Sequence, residues 1–420
     1  MPAPKKSISR SLLIASAVVV STALTAPAVS AAPKPSPKAS RSAGPPATMS
    51  QVGGARLARS GTQVNLAGDV PVLPKGLSAR SWIVADAESG EVLAAHNAHW
   101  RLAPASTLKM LFADTLLPKF PKTRKHRVVP SDLAGMGIGS SLVGIKENET
   151  YTVHDLWLGV FLRSGNDAVH VLSAMNGGVG KTVREMNEHA DELQALDTDV
   201  VSPDGYDEHG QVSSAYDLTL IARSGLQKKD FREYCSTLRA KFPGETRKGK
   251  KGKNTRGTFE IQNTNRLLSG DYDIDQYTGI AGVKNGNTTN AGATFTGVAE
   301  QGGKVLLVTV MHPENNDHNQ VYRETAHLFD WGFKAAGKVR PVGELVPPKS
   351  AQASPEPGAS SSGEGAAGTK PVAHASQSGS GGIGTALGIT GGVLVLLAGA
   401  AFLVNRRWPL PDLVRRRTRP

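Results

Sequence analysis

Two strand-rich stretches lie towards the two ends of the central part of the sequence. The first, 81–95, has apolar runs on both sides of a polar turn with Gly90, and the second, 292–311, has them on both sides of Gly302 and Gly303. Apolar runs joined by short Gly-containing turns are typical of β-hairpins. We therefore predict an α/β (α+β) fold, in which an antiparallel sheet is flanked by helices and its first and last strands meet.

Helical periodicity fills most of the residues between these stretches and follows the second one. It occurs at 106–117, 152–162, 183–196, 215–226 and 319–336, and a further helix begins after residue 166. Helices placed between two strand-rich stretches predict a helical subdomain that covers the sheet.

The basic charge of the chain is concentrated at its two ends. The net charge is +12, but residues 1–75 hold nine Lys/Arg against one acid and residues 347–420 hold eight against three, which leaves 76–346 close to neutral. Basic ends on a neutral body are typical of membrane topology and argue against a nucleic-acid partner. The single cysteine, Cys235, excludes an internal disulfide framework and a cysteine-based zinc site.

The N-terminal end predicts export. Residues 1–32 combine a positive start, an apolar run at 12–24 and small residues at 28–32, as a secretory signal peptide does. Residues 33–75 are rich in Pro, Ser, Ala and Gly, and this composition buries too little apolar surface to offset the entropy of ordering. We predict a disordered linker there, followed by a folded domain at 76–346.

The C-terminal end predicts a membrane anchor. Residues 347–382 are again rich in Pro, Ser and Gly and predict a stalk, and 383–404 lack charged residues over a length that matches the hydrocarbon thickness of a bilayer. The tail at 405–420 is basic, so the positive-inside rule places it in the cytoplasm. We expect a single-pass protein of the cell membrane, with its folded body outside the cytoplasm and its C-terminal helix in contact with membrane lipid.

Ser106 begins a predicted apolar helix, and Lys109 follows three residues later. Residues at i and i+3 share a helix face, so the lysine amine can reach the serine oxygen. A serine hydroxyl is too weakly acidic to attack a carbonyl unaided, but a desolvated lysine with a lowered pKa can take its proton. The N–H and the positive dipole end at a helix N-terminus can also stabilise an oxyanion.

Two further motifs lie in contexts that suit the same chemistry. Ser164-Gly165-Asn166 lies between two apolar helices, where a hydroxyl can relay a proton and an amide can hold a peptide. Lys284-Asn285-Gly286-Asn287-Thr288 lies on a predicted strand, where a lysine can bind a carboxylate and a glycine lets a substrate approach the backbone. Each motif by itself occurs often by chance, but all three in this order occur by chance much less often.

Together the three motifs resemble the Ser-x-x-Lys, Ser-x-Asn and Lys-Thr-Gly set of the serine D,D-peptidases and β-lactamases. The closer resemblance is to the low-molecular-mass penicillin-binding proteins of the serine-type D-alanyl-D-alanine carboxypeptidase class, which the run Ser-Pro-Asp-Gly-Tyr-Asp at 202–207 also matches. The resemblance extends from about residue 81 to residue 336, so it implies that 76–346 is a D,D-peptidase catalytic domain with a β-lactamase-like fold.

The resemblance implies a carboxypeptidase that removes the terminal D-Ala from peptidoglycan pentapeptide stems through an acyl-enzyme. Ser106 would be the nucleophile, Lys109 the general base and Ser164 the proton relay. β-Lactam antibiotics are the expected covalent inhibitors, and no cofactor or metal is expected.

The same resemblance implies the substrate-binding residues. Asn166 would anchor the substrate, and Lys284 would bind its carboxylate. The backbone N–H groups of Ser106 and Asn287 would form the oxyanion hole. The remaining residues of the implied substrate-binding strand are Asn285, Gly286 and Thr288.

Asn285 departs from the family motif, because relatives have threonine in its place. Its amide can still donate a hydrogen bond to a carboxylate, but the side chain is longer. The resemblance therefore does not carry over the geometry of carboxylate binding or the affinity for β-lactams.

Two alternatives stay open at this point. The first is a β-lactamase of the same fold, which needs a second general base; Glu208 lies in a suitable loop, but Gln211 stands where a partner asparagine is expected. The second is a catalytically silent cell-wall-binding protein, against which the retention of all three motifs argues. The basic run at 247–253 predicts an exposed loop that contacts anionic wall polymers or lipid head groups if it has a function.

Overall fold

The computed structural model describes residues 44–249 and 253–352. Within this part of the chain, short helices and strands alternate with loops of moderate length. The strands are β1 Thr62–Val64, β2 Ala79–Asp86, β3 Glu91–His96, β4 Lys125–Arg127, β5 Thr150–Thr152, β6 Arg239–Lys248, β7 Asn254–Gln262, β8 Ile280–Thr288, β9 Gly292–Gln301, β10 Lys304–Pro313 and β11 Gly343–Glu344. The helices are α1 Lys109–Leu116, α2 Val153–Arg163, α3 Asn166–Met175, α4 Val179–Glu192, α5 Ala215–Leu226, α6 Lys229–Ser236, α7 Arg266–Ser269, α8 Gln320–Ala335 and α9 Lys349–Gln352.

The main sheet is antiparallel and has the strand order β1-β3-β2-β10-β9-β8, with β11 also paired to β3. Strand β2 lies beside β10 with Val84 opposite Val308, so the early and late strands meet as predicted. Gly302 and Gly303 both have positive φ and form the tight turn between β9 and β10, which confirms the predicted hairpin.

The two faces of this sheet pack against different helices because side chains alternate along a strand. Trp82 and Val84 of β2 belong to the apolar cluster that includes the buried side of α8. Ile83 and Ala85 of the same strand belong to a larger cluster that includes α1, α2 and α5. The predicted layering of a sheet under a helical block is therefore confirmed, with α8 as a second layer behind it.

The sequence analysis missed helix α6 and the hairpin formed by β6 and β7. Most side chains of this hairpin are polar or charged and at least partly exposed, so its apolar alternation is weak. It is held by Phe242, which is fully buried and stacks on Tyr151 with 5.6 Å between ring centroids. Arg247 and Lys248 are exposed as predicted, but the predicted loop is wrong for both, because they belong to strand β6.

The folded body begins earlier than predicted. Strand β1 pairs with β3, Leu57 is fully buried, and the indole N–H of Trp331 donates to the carbonyl of Pro71 at 2.8 Å. The prediction of a disordered linker is therefore wrong for residues 44–75. Backbone pairing to the edge strand β3 and a few buried apolar contacts stabilise a segment whose composition is otherwise polar.

The body also ends later than predicted, and its two ends meet. Gln194 donates to the carbonyl of Pro347 at 2.7 Å, and Lys349 pairs with Asp191 at 2.6 Å, so the first residues of the predicted stalk pack on α4. The backbone N–H of Glu344 donates to the carbonyl of Gly53 at 2.8 Å. The segments that enter and leave the body therefore lie side by side.

No helix within 44–249 or 253–352 has the length and apolar character needed to cross a bilayer. The predicted signal peptide at 1–32, the transmembrane segment at 383–404 and the tail at 405–420 lie outside the described residues.

Candidate active site

Ser106 and Lys109 lie together at the start of the helical block. Ser106 belongs to a short 3-10 helix, Ala105–Leu108, that continues directly into α1. The Nζ atom of Lys109 lies 2.7 Å from Oγ of Ser106, so the predicted contact between amine and hydroxyl is confirmed. Lys109 is fully buried and also donates to the backbone carbonyl of Asp204.

Two glycines let neighbouring segments approach the serine closely. A Cβ at Gly286 would lie 2.7 Å from the backbone nitrogen of Ser106 and 2.7 Å from Oγ1 of Thr294. Gly205 has φ of +78, and a Cβ there would overlap the carbonyl of Ala105. Both the strand β8 and the loop that carries Asp204 therefore pack against the segment of Ser106 through positions that favour glycine.

Burial makes the lysine a suitable base. Desolvation lowers the pKa of Lys109 to about 8, although the nearby carboxylates of Asp204 and Asp167 oppose the shift. Lys284 is also fully buried, and desolvation together with the charge of Lys109 moves its pKa well below the usual lysine value. Two buried amines close together disfavour double protonation, so one of them is readily neutral.

The Ser164-Gly165-Asn166 motif forms the turn between α2 and α3, as predicted. Thr152 caps the start of α2 by accepting a hydrogen bond from the N–H of Asp155, and Ser164 ends that helix in the left-handed conformation with φ of 55. Neither Oγ of Ser164 nor Oδ1 of Asn166 has a hydrogen-bond partner in the described part of the chain, although both atoms are buried. Unpaired buried polar atoms are rare in folded proteins and suit contacts that a substrate completes.

Asp167, directly after this motif, shapes one wall of the site. Its carboxylate accepts hydrogen bonds from the backbone N–H groups of Val143, Gly144 and Ile145 at 2.8 to 3.0 Å. Asn166 in turn donates to Oγ of Ser140 at 3.0 Å. The sequence analysis gave Asp167 no role, because its partners precede it by more than 20 residues.

Strand β8 brings the third motif beside Ser106. Lys284 donates to the carbonyl of Asn285 at 2.7 Å, is buried and is not among the residues that line the cleft. Oδ1 of Asn285 accepts a hydrogen bond from Oγ1 of Thr264 at 2.9 Å, and Asn285 does not line the cleft. The substrate roles predicted for Lys284 and Asn285 therefore stay predictions.

The cleft beside Ser106 has a volume of about 160 Å³. Of the predicted residues, Ser106, Asn166, Asn287 and Thr288 line it directly, whereas Lys109 lies beneath Ser106. The other lining residues were not predicted, although the run 202–207 contributes to the resemblance to the carboxypeptidase family. These are Ile138, Gly139, Ser140, Ser141, Gly205, Tyr206, Asp207 and Thr289.

A larger cavity, of about 700 Å³, lies between α5, α6 and the sheet. None of the predicted site residues lines it, and it is mainly apolar, so it does not compete with the cleft as a site of chemistry.

Comparison with known proteins agrees with this arrangement. The family model for D-alanyl-D-alanine carboxypeptidases matches residues 69–315. D-alanyl-D-alanine carboxypeptidase DacB2 of Mycobacterium tuberculosis is 35% identical over 273 residues, which cover 64% of this chain and 87% of the relative. DacD of Escherichia coli is 29% identical over 272 residues, and the match spans 64% of that relative's length.

Solved structures show the same likeness. A crystal structure of a D-alanyl-D-alanine carboxypeptidase from Mycobacterium tuberculosis is 33% identical, covers 67% of this chain and 100% of its own, and superposes with a TM-score of 0.57. A Streptomyces DD-transpeptidase at 24% identity and a TM-score of 0.55 shares the fold over 63% of this chain and 99% of its own. The contact between Ser106 and the buried Lys109, the matching motifs and these relatives agree, and the chain belongs to the D-alanyl-D-alanine carboxypeptidase family.

Proposed function

We propose that this protein is a membrane-anchored serine D-Ala-D-Ala carboxypeptidase that removes the terminal D-Ala from peptidoglycan pentapeptide stems through an acyl-enzyme on Ser106. The observation that carries the proposal is the contact of 2.7 Å between Oγ of Ser106 and the buried amine of Lys109, whose pKa is lowered to about 8. A neutral amine at this distance can take the serine proton without rearrangement.

Acylation begins with this proton transfer. As Lys109 accepts the proton, Oγ of Ser106 attacks the carbonyl carbon of the penultimate D-Ala. The carbonyl oxygen becomes an oxyanion, for which the backbone N–H groups of Ser106 and Asn287 are the proposed donors. Gly286 supports this step because only glycine lets strand β8 lie this close to the nitrogen of Ser106.

The tetrahedral intermediate then collapses and releases the terminal D-Ala. Its amine needs a proton, and the hydroxyl of Ser164 is the proposed relay from Lys109 because its oxygen is buried and has no hydrogen-bond partner in the described structure. A water molecule that loses a proton to the same base hydrolyses the ester and frees Ser106. No step requires a cofactor.

Asn166 and the end of strand β8 are the proposed substrate contacts. Asn166 lines the cleft with an unpaired amide oxygen, which can accept an N–H of the substrate peptide. Asn287 and Thr288 also line the cleft, and Lys284 of the same strand is the proposed hydrogen-bond donor to the terminal carboxylate of the substrate. In this proposal β-lactams acylate the same serine.

The proposed location is the outer surface of the cell membrane. It is supported by the signal-like residues 1–32, by the apolar segment 383–404 and by the basic tail that follows this segment. The catalytic body would then reach its substrate outside the cytoplasm, while the helix at 383–404 contacts lipid.

Intact mass spectrometry of the purified full chain tests the chemistry. The chain is incubated with a penicillin, and separately with a diacyl-lysyl-D-Ala-D-Ala peptide, and Ser106→Ala is treated in the same way. We expect a stable penicilloyl adduct and D-Ala release, both lost in Ser106→Ala. Rapid penicillin hydrolysis without a lasting adduct would instead indicate a β-lactamase, and neither adduct nor product would indicate a silent wall-binding protein.

A further inference from the structure

His170 connects two segments that form walls of the cleft. It lies on α3, one turn after Asn166, and is 6% exposed. Its Nδ1 atom lies 3.0 Å from the carbonyl oxygen of Ala134, and its Nε2 atom lies 3.6 Å from Oδ2 of Asp204. Both ring nitrogens therefore face oxygen acceptors.

The carboxylate that faces His170 is ionised. Oδ1 of Asp204 accepts hydrogen bonds from the hydroxyl of Ser202 and from the N–H of Tyr206, both at 2.9 Å. Burial by itself would raise the pKa of Asp204, but the neighbouring His170, the charge of Lys109 and the hydrogen bonds from Tyr206 and Ser202 bring it down to about 2. The His170 ring therefore lies between the carbonyl of Ala134 and the carboxylate of Asp204.

Few other charges lie on the elements packed around this pair. Asp167 of α3 is bound to three backbone N–H groups, and Asp132, just before Ala134, pairs with His126 at 2.8 Å. The other charged groups on these elements are Asp207 and Glu208 in the loop after Asp204, and Lys109 and Asp114 of α1.

The His170–Asp204 pair is connected to Lys109 through the backbone carbonyl of Asp204. The carbonyl oxygen of Asp204 accepts a hydrogen bond from Nζ of Lys109, so the position of residue 204 fixes where that amine lies relative to Ser106. A second tie joins the same two segments, because the hydroxyl of Tyr206 donates to the carbonyl of Ile138 at 2.7 Å. Neither His170 nor the Asp204 carboxylate lines the cleft.

We propose that the buried His170–Asp204 pair is a positioning element that holds the Asp204 carbonyl against Lys109 and thereby keeps the amine in reach of Ser106. The proposal rests on the proposed function, since it concerns the base of that reaction. A shift of about 1 Å in such a contact can cost about 10²-fold in rate.

The chain offers a matched control. His99 is also buried, with Nδ1 at 2.6 Å from Asp197 and Nε2 at 2.9 Å from the carbonyl of Val52, but it lies outside the cleft lining. His99→Gln therefore removes a histidine with the same type of partners at a place without catalytic groups. Any effect that His170→Gln has beyond it reflects the connection to Lys109.

The test compares the full chain with His170→Gln, Asp204→Asn and His99→Gln. Penicillin acylation of Ser106 and the kcat and KM for D-Ala release are measured from pH 6 to pH 10, and thermal unfolding gives the folded fraction. We expect kcat/KM to fall about 10- to 100-fold in His170→Gln and in Asp204→Asn per folded molecule, mainly through kcat. His99→Gln should lower Tm without changing kcat.

The pH profiles separate positioning from a general loss of structure. Removing the negative charge of Asp204 should move the midpoint of the acylation rate to lower pH, because this charge raises the pKa of Lys109, whereas His99→Gln should leave the midpoint unchanged. Wild-type rates and midpoints in both variants, or the same changes in His99→Gln, would overturn the proposal. If His170→Gln does not fold, Asp204→Asn decides alone, because it keeps the shape of the side chain and the backbone carbonyl.

A wild-type chain that is neither acylated nor active overturns the proposed function and this inference together. An active wild type with unaffected variants overturns only this inference.

Discussion

The two faces of the main sheet hold buried charges in different ways. On the α8 side, Glu324 is 1% exposed, and its carboxylate accepts hydrogen bonds from the N–H groups of Ser78 and Ala79 and from Gln320 at 2.8 to 3.0 Å. On the cleft side, Lys109 and Lys284 are equally buried, but neither makes a salt bridge in the described part of the chain. The first arrangement stabilises the fold, whereas the second leaves amines whose pKa values are low enough for proton transfer.

The difference can be measured, because replacing Glu324 and replacing Lys109 should have opposite effects on stability and on activity. A satisfied buried carboxylate costs stability when it is lost, since its donors are then unpaired. A buried amine with few partners costs activity when it is lost and can even raise stability.

Replacing Lys109, the proposed base, should have the largest effect on the acylation rate. In Lys109→Met we expect penicillin acylation of Ser106 to slow by about 10⁴-fold, because general base catalysis is lost. Tm should stay the same or rise, since methionine fills a similar volume without a buried charge. Stopped-flow acylation and calorimetry measure the two quantities, and Lys334→Met, an exposed lysine on α8, is the control. Acylation at the wild-type rate would refute the role of Lys109.

Removing the satisfied carboxylate should have the opposite profile. Glu324→Ala is expected to lower the free energy of unfolding by about 3 kcal/mol, because buried backbone N–H groups lose their acceptor. The kcat per folded molecule should not change. Urea unfolding with activity measured in the folded range checks both, and Glu324→Gln, which keeps one acceptor, should lose less stability. A fall in kcat with unchanged stability would contradict the comparison.

The variant Gly286→Ala tests whether the close approach of strand β8 to Ser106 is needed. In Gly286→Ala the new Cβ would lie 2.7 Å from the nitrogen of Ser106, so β8 must shift. We expect kcat/KM to fall by about 10²-fold. Gly257→Ala on β7, where a Cβ meets nothing within 4 Å, is the control for steady-state kinetics. Equal activity in both variants would show that the contact is not needed.

The smallest expected effect is the pH dependence of the unmodified chain. In the proposed mechanism the neutral form of Lys109 is the active one, and the pKa of Lys109 is about 8, so acylation should speed up as pH rises through 8. Between pH 7 and pH 9 the neutral fraction, and with it the acylation rate, should increase about tenfold. Second-order rate constants with penicillin across this range measure it, with Tm recorded in parallel. A rate that falls with pH would mean that the protonated lysine is the reactive form.

The parts of the site that could be predicted are those set by local sequence. The contact of Ser106 with Lys109 follows from their spacing on one helix, and the turn at Ser164 follows from two adjacent helices with a capping Thr152. The meeting of β2 and β10 followed from two hairpin patterns placed at opposite ends of the helical region.

The parts that could not be predicted depend on distant residues. Asp204 contacts Lys109 from 95 positions away, and no periodicity links the two. The same holds for β1, whose short polar sequence becomes a strand only because the edge of β3 is available to it. The composition of residues 44–75 indicates a polar segment, but it does not indicate that β1 pairs with β3.

The contact between Gly53 and Glu344 has a mechanical consequence. Both segments lie beside β3, whereas β8, which carries the substrate-binding motif, is at the opposite edge of the sheet. A pulling force applied to either end of the body is therefore borne by the contacts of residues 347–349 beside α4 and by β1, β11 and β3, and not by β8. This edge would peel away before any load reached the strand beside Ser106, so the cleft can keep its geometry while the chain is under tension.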